Sequence, residues 1–428
     1  MKSLSGEVAR TVKNAGWMLS EQIAKIFASF FVSIYIARSL GSESFGVLSY
    51  TTAIFGVFAA VSKIGMESIL VRELAKRPFL EKSFMGTAFW LITASSAIGI
   101  MLMAGINIFE TQEIVKTCTL ILSIGLLFQS SLVFDYYFQA RLQSKSTTIA
   151  KSTATTAGAI IKILIVTFSP DMILITISYV IDQILMAILL LVAYKKSKGA
   201  NFLFSYQTRR AQILLKSSVP MMLSGIAGMI MLRCDQIMLK YYLGTDAVGI
   251  YAAGSKIYEG WLILPFIFSI SLLPLLTKEK EKDPVAYEKK LSFFFGIQIW
   301  AAIIFAAILT VAGKTLINLT FGPDYIEAYE TMVVLAWTSV FTAAGYMSAR
   351  YLVLEKMEKK ITKRNWIALS ANIALNTLLI PAFGTSGAAT STFLSMMLAH
   401  FVFDYLDRDL KRLRDIKIRS ILLKPYWR

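Results

Sequence analysis

Stretches of about twenty or more apolar residues recur along the whole of this 428-residue chain. A segment of that length crosses a bilayer as a helix, because lipid leaves each backbone to satisfy its own hydrogen bonds. The pattern restricts the chain to an all-α polytopic membrane protein. A transmembrane barrel would show alternating strands of about ten residues, and none occur. Composition agrees: 56% of residues are hydrophobic, 17% are charged and mean hydropathy is +0.61.

Twelve spans are expected, near 15–38, 45–65, 85–107, 114–137, 148–168, 171–194, 217–242, 249–276, 291–313, 328–352, 363–380 and 386–406. Their connections alternate in charge. Basic residues crowd 66–84, 195–216, 277–290, 354–365 and the tail after Tyr405, whereas the connections between them are short and nearly free of cations. With the N-terminus and 138–151 included, 34 of the 44 basic residues fall on one side. Lysine and arginine are retained on the cytoplasmic side of a membrane, so both termini are expected there. The net charge of +17 has the same origin, and no nucleic-acid partner is implied. Cys118 and Cys234 lie inside apolar spans and are expected as free thiols. The first span is too long for a signal h-region, so it is expected to be retained.

An internal repeat accompanies the twelve spans. After the first comes "LGSESFGVLSY" (Leu40 to Tyr50), and after the seventh "LGTDAVGIYAA" (Leu243 to Ala253), at an offset of 203. The glycines suit a tight turn between two spans. Six spans separate the copies, so both halves face the same way, as parallel repeats. The expected division is an N-lobe, 1–200, with spans 1–6, and a C-lobe, 201–428, with spans 7–12 and the basic tail.

Ionisable residues at membrane depth cost about 2.5–3.5 kcal/mol each at a helix centre. The sequence nevertheless places Glu21, Lys25, Lys162, Asp182, Arg233, Asp235, Lys256 and Glu259 there. One such pair is most simply packing. Eight charges spread over both halves point to a water-filled cavity. Glu21, Lys25, Ser29 and Ser33 follow at i+4 spacing down one face of span 1, with Glu21 and Lys25 ordered for an intrahelical ion pair. Arg233 and Asp235 lie about 200° apart around their helix. Asp235 is expected to pair with Lys256, leaving Arg233 for a ligand. Asn372 and Asn376 suit either sugar hydroxyls or helix contacts. His400 is expected to pack rather than move protons, while Asp135 and Arg350 are near span ends and can snorkel. No phosphate-binding loop, zinc cluster or nucleophile–base set occurs, so no cofactor and no enzyme activity are expected.

The segments "ARSLGSESFGVLSYTTAIFGVFAAVSKIGMESILVRELAK", "LRCDQIMLKYYLGTDAVGIYAAGSKIYEGWLILPFIFSISLLPLL", "LTFGPDYIEAYETMVVL" and "NIALNTLLIPAFGTSGAATSTFLS" together resemble the Wzx-type polysaccharide flippases. These form the polysaccharide transport branch of the multidrug/oligosaccharidyl-lipid/polysaccharide exporter superfamily. The resemblance covers nearly the whole chain. It implies two six-helix lobes facing a central cavity, in the bacterial inner membrane. The implied cargo is an oligosaccharide repeat unit (O-antigen, capsule or other surface polysaccharide) on undecaprenyl diphosphate. It also implies a proton or sodium gradient, with a polysaccharide polymerase and a chain-length regulator as partners. The related lipid II flippases usually carry two further spans. Lys25, Lys162, Arg233 and Lys256 would then face the diphosphate, and Glu21, Asp182, Asp235 and Glu259 would pair or carry the ion. Two rivals are a drug/cation antiporter of the same superfamily, which would want an acidic, aromatic pocket, and a membrane polysaccharide polymerase or ligase. The latter generally needs a long outer loop with catalytic residues, and the longest expected here, 313–328, has no histidine.

Overall fold

The computed structural model describes residues 2–197, 201–203 and 205–422, apart from the side chains of 2–13, 15 and 224. Of the basic residues counted above, Lys2, Arg10, Lys13, Lys198, Lys424 and Arg428 therefore lie outside the described side chains. Among the described residues, ten helices are long and apolar enough to cross a membrane. The helices are α1 (Lys2–Ser62), α2 (Met66–Lys76), α3 (Glu81–Asn107), α4 (Glu113–Ile124), α5 (Leu132–Ala140), α6 (Ser144–Phe168) and α7 (Met172–Lys196). There follow α8 (Thr208–Leu243), α9 (Thr245–Ser271), α10 (Leu273–Lys282), α11 (Pro284–Thr320), α12 (Ala328–Leu354), α13 (Glu358–Met397), α14 (Phe403–Leu406) and α15 (Lys411–Ile421).

Two of these helices are broken inside. In α1 the backbone leaves helical geometry at Gly41 (φ 78°, ψ 173°), and in α13 at Gly384 (φ 60°, ψ −135°). Both breaks fall where one expected span ends and the next begins. The second is a reversal: a Cβ on Gly387 would overlap the carbonyl oxygen of Leu379. Eight residues of continuous α-helix would separate those positions by about 12 Å. Pro381, which has no N–H to give, stands just before the break.

Two of the basic segments carry helices of their own, α2 within 66–84 and α15 in the tail. In α2, Ile69, Leu70 and Leu74 are buried while Arg72 and Lys76 are exposed. In α15, Leu413 and Ile416 are buried. Asp171 and Asp283 cap α7 and α11 through their side chains, satisfying amides that the first helical turn leaves open.

Packing divides the chain into two units: residues 1–40 with 47–233, and 41–46 with 234–428. The expected boundary lay at 200/201. The structural boundary lies within α8, whose early part packs with the first unit, where Gly65 approaches the backbone of Met222 and Ser218. In the first unit a core of Phe84, Met85, Phe134, Tyr137, Tyr194 and Phe202 joins α3, α5 and α7. In the second, Tyr287, Phe295, Met347, Tyr351 and Leu413 join α11, α12 and α15.

The repeat has a geometric counterpart. Gly244 (φ 87°) matches the left-handed break at Gly41, a conformation that costs glycine nothing. Within the second unit the two copies also touch. A Cβ on Gly46 would overlap the Thr245 carbonyl oxygen, and one on Gly249 would overlap that of Ser42. The Ser42 hydroxyl donates to Asp246 across the same contact.

Candidate functional site

The first unit holds a cavity of about 210 Å³ between α1, α6 and α7. Lys25 and Ser29 come from α1, Lys162 from α6, and Tyr179, Asp182 and Gln183 from α7. The i+4 spacing of Lys25 and Ser29 brings both to one face, as the sequence pattern implies. Lys162 is buried, ion-paired to Asp182, and lies 4.4 Å from the centre of the Tyr179 ring. The second Asp182 oxygen, Oδ1, is buried without a hydrogen-bond partner. It lies against Gly158 so closely that a Cβ there would overlap it.

The expected pair between Glu21 and Lys25 is not formed. Glu21 accepts instead from Lys151 at 2.7 Å, and Lys151 also reaches Asp135 at 3.0 Å. One ammonium thus serves two carboxylates, and Lys25 makes no ion pair with a described residue. Asp135 does not snorkel: it is 5% exposed and also accepts from Gln139. With Glu21 withdrawn, the cavity wall carries two cations and one carboxylate, a net positive charge.

The second unit holds a different arrangement. Asp235, on α8, is 5% exposed. Its carboxylate accepts from Tyr251 at 2.5 Å, Thr392 at 2.6 Å and Asn376 at 2.7 Å. Asn372 donates to Thr392 at 3.1 Å, and its carbonyl oxygen accepts from Asn376 and from the Cys234 thiol. The expected partnership of Asp235 with Lys256 is therefore corrected. Tyr251 and Lys256 are five residues apart, about 140° around α9, so the face that meets Asp235 cannot also present Lys256 to it. Lys256 lies 3.8 Å from Glu259. Arg233 is half-buried and has interactions of its own, so it does not stand free as expected.

Asp235 makes no ion pair with a described residue. A buried carboxylate surrounded only by neutral groups is unusual, since an unpaired buried charge is expensive. Among its neighbours the fully buried Asn376 leaves its Oδ1 without a hydrogen bond. The carboxylate, the two amide carbonyls and the Thr392 hydroxyl make a cluster of oxygen donors, of the type that holds hard cations. Among the described residues no group of three His, Cys, Asp or Glu side chains gathers at one point, so a transition-metal site of that kind is not formed by them.

A third charged cluster escaped the sequence reading. Asp404 is almost fully buried and pairs with both Arg364 and Lys417, the latter at 2.6 Å. Lys417 also donates at 2.5 Å to the carbonyl oxygen of His400. That carbonyl sits in a π-helical turn, Leu398–Val402, where the wider winding disturbs the usual backbone pairing. Burial pushes the Lys417 ammonium down to about 8; Asp404 opposes the fall and Arg364 adds to it. Nearby, burial alone would raise the Asp407 carboxyl, but the Lys360 ammonium and the Asp409 N–H hold it below its ordinary value. His400 itself packs its ring against Gly345, in line with the expected packing role. Lys417 lay in a tail that reads only as basic, and nothing in its spacing marked it as buried.

Comparison with known proteins adds an independent line. The family described as "Polysaccharide biosynthesis protein" matches residues 11–280. A "Probable flippase AglR" of Haloferax volcanii is 21% identical over 405 residues, covering 91% of this chain and 82% of the relative. A "Capsular polysaccharide biosynthesis protein CapF" of Staphylococcus aureus is 21% identical, covering 92% of this chain and 98% of its own. In structure the chain is similar to a lipid II flippase, MurJ, in an inward closed conformation (TM-score 0.72, 16% identity, 95% of this chain and 91% of that one). It is also similar to a multidrug resistance MATE family transporter (TM-score 0.65, 13% identity, 93% and 95%). These two likenesses establish the fold.

Proposed function

The chain belongs to the polysaccharide biosynthesis protein family, and from that premise we propose that it is a flippase for a lipid-linked oligosaccharide. Its cargo is a repeat unit on undecaprenyl diphosphate, moved from the cytoplasmic to the outer leaflet of the inner membrane by alternating access. The observation that carries this reading is the net-positive cavity of Lys25, Lys162 and Asp182. A diphosphate leaving water needs fixed cations and hydrogen bonds in place of its hydration, and Lys25 has no carboxylate of its own to satisfy. The names of the flippase and capsule relatives point the same way. A drug/cation antiporter would want the opposite sign of charge there.

The membrane arrangement we favour has twelve spans, counting the two arms of α1 and of α13 separately, with both termini cytoplasmic. A polymerase and a chain-length regulator would receive the flipped unit. Coupling is assigned to Asp235 with Asn372, Asn376 and Thr392, taking a sodium ion or a proton. Glu21, Asp182 and Glu259 each have a lysine beside them, whereas Asp235 has none, so it is the carboxylate that most needs a mobile cation. Deleting the chain from its cell tests the central reading. Lipid-linked repeat units should then accumulate in the cytoplasmic leaflet; units reaching the outer leaflet at an unchanged rate would reject it.

A further inference from the structure

The first unit contains a second, larger cavity, about 640 Å³, on the other side of α7 from the charged one. Asp182, Gln183 and Met186 line the charged cavity, while Ala187, Leu191 and Lys195 line this one. At 100° per residue the two sets point roughly 130° apart around the helix. Its inner wall is aromatic, with Phe89 on α3, Phe128 in the turn before α5, and Phe134 on α5. The hydroxyls of Ser130 and Ser131, also in the wall, donate to the carbonyls of Leu127 and Phe128. They therefore present no unmet polar demand to an occupant.

The cavity is open at its side. Leu127, Ile188, Leu191 and Leu203 line it and are exposed. Leu127, Ile188 and Leu191 stand on candidate membrane spans, which puts this side of the mouth against lipid, while Leu203 lies in the segment between two spans. The lower wall is fixed: Phe202 packs edge-on against Phe89 and Phe134, and Trp90 donates to the Leu203 carbonyl at 2.7 Å. The ammonium and the amide of the lining, Lys195 and Asn201, both come from the chain at and just past the end of α7. Lys195 makes no ion pair with a described residue, and Lys196 follows it at the basic end of α7. An ammonium in the lining of an apolar, side-opening chamber, at the depth where a span meets the headgroups, complements an anionic headgroup.

We propose that this cavity holds one resident anionic phospholipid of the surrounding bilayer. Its acyl chain lies along Phe89, Phe128 and Leu191, and its phosphate is at Lys195 and Asn201. The occupant would brace α7, the helix that presents Asp182 to the charged cavity on its opposite face.

The test uses the purified full-length chain, delipidated in detergent and titrated with phosphatidylglycerol or phosphatidylethanolamine under native mass spectrometry. The parent protein should retain one phosphatidylglycerol in preference to phosphatidylethanolamine. Lys195→Ala should lower that preference about fivefold, the worth of one lysine at a lipid surface. Leu191→Trp, which fills the mouth from an exposed position, should abolish retention of both lipids while leaving the protein folded and monodisperse. Equal retention of the two lipids by the parent protein, or undiminished retention in Leu191→Trp, would overturn the proposal. So would preferential displacement of phosphatidylglycerol by polyprenyl phosphate, which would give the chamber to the tail of the cargo.

Discussion

Asn376 donates its side-chain N–H to the Asp235 carboxylate at 2.7 Å, while its own buried carbonyl oxygen accepts nothing. The pair is half-finished: an anion without a cation beside an acceptor without a donor. One positive charge placed between them would satisfy both.

Sodium should therefore protect the protein against heat or denaturant, and the protection should vanish in Asp235→Asn. A cation at a hundredfold its dissociation constant adds about 2.7 kcal/mol, a readily measured shift in melting temperature. Asn376→Leu should weaken the effect without abolishing it. A parent protein indifferent to sodium, with Asp235→Asn transporting as the parent does, would remove this cluster from the coupling scheme.

Lys162 and Asp182 should separate stability from transport. Lys162→Met alone leaves a carboxylate with no ion-pair partner in a membrane span, and should cost about 3 kcal/mol. The double variant Lys162→Met/Asp182→Leu should recover most of that loss, because an apolar pair often replaces a buried ion pair without penalty. It should still fail to deliver surface polymer. Restored delivery by the double variant would mean the pair is only a strut.

Gly158→Ala probes the same carboxylate from behind. The added methyl overlaps Asp182 Oδ1, so Asp182 must leave its position, at a cost of about 1–3 kcal/mol for the overpacking. Transport should fall as far as it does in Asp182→Ala. Gly105→Ala, where the new methyl meets open space, should behave as the parent protein does. Thermal unfolding and surface polymer measured on all three variants decide the point.

Lys417 gives a pH signature. In the unfolded chain it keeps its proton to about 10.4, whereas in the fold it releases it at about 8. Between those values the unfolded state binds more protons, so stability rises with pH across the window. The gain approaches 3 kcal/mol, because each pH step of one between the two values contributes about 1.4 kcal/mol. Relative to Lys417→Met, the parent protein should become steadily more stable from about pH 8 to about pH 10; parallel pH profiles would mean Lys417 is not held in this way.

The helical spans were legible because apolar runs of bilayer length permit little else. The turn at Gly41 and its twin at Gly244 could be read from their glycines. The stripe through Lys25 and Ser29 was legible too, since helical spacing alone brings those residues together. The partners of each charge were not. Nothing in the sequence distinguishes Lys151, which draws Glu21 away from Lys25, from any other lysine near a span end. Likewise the Asp235 cluster depends on Tyr251 and Thr392, residue types frequent in membrane helices for packing alone. Asn372 and Asn376 were visible as a polar pair one turn apart, but their common target on α8 is a fact of tertiary packing.

The π turn at Leu398–Val402 makes the number of residues matter there as much as their kind. Removing one residue from it would let an ordinary helix run through. The His400 carbonyl would return to helical pairing and give up Lys417. The residues beyond would keep nearly the same phase, because an i→i+5 turn takes up one residue more than an i→i+4 turn, so Asp404 would still face Arg364. Most lipid-facing positions of such a helix can be exchanged freely, yet a single deletion at this point would leave Lys417 with Asp404 alone and loosen the hold on α15.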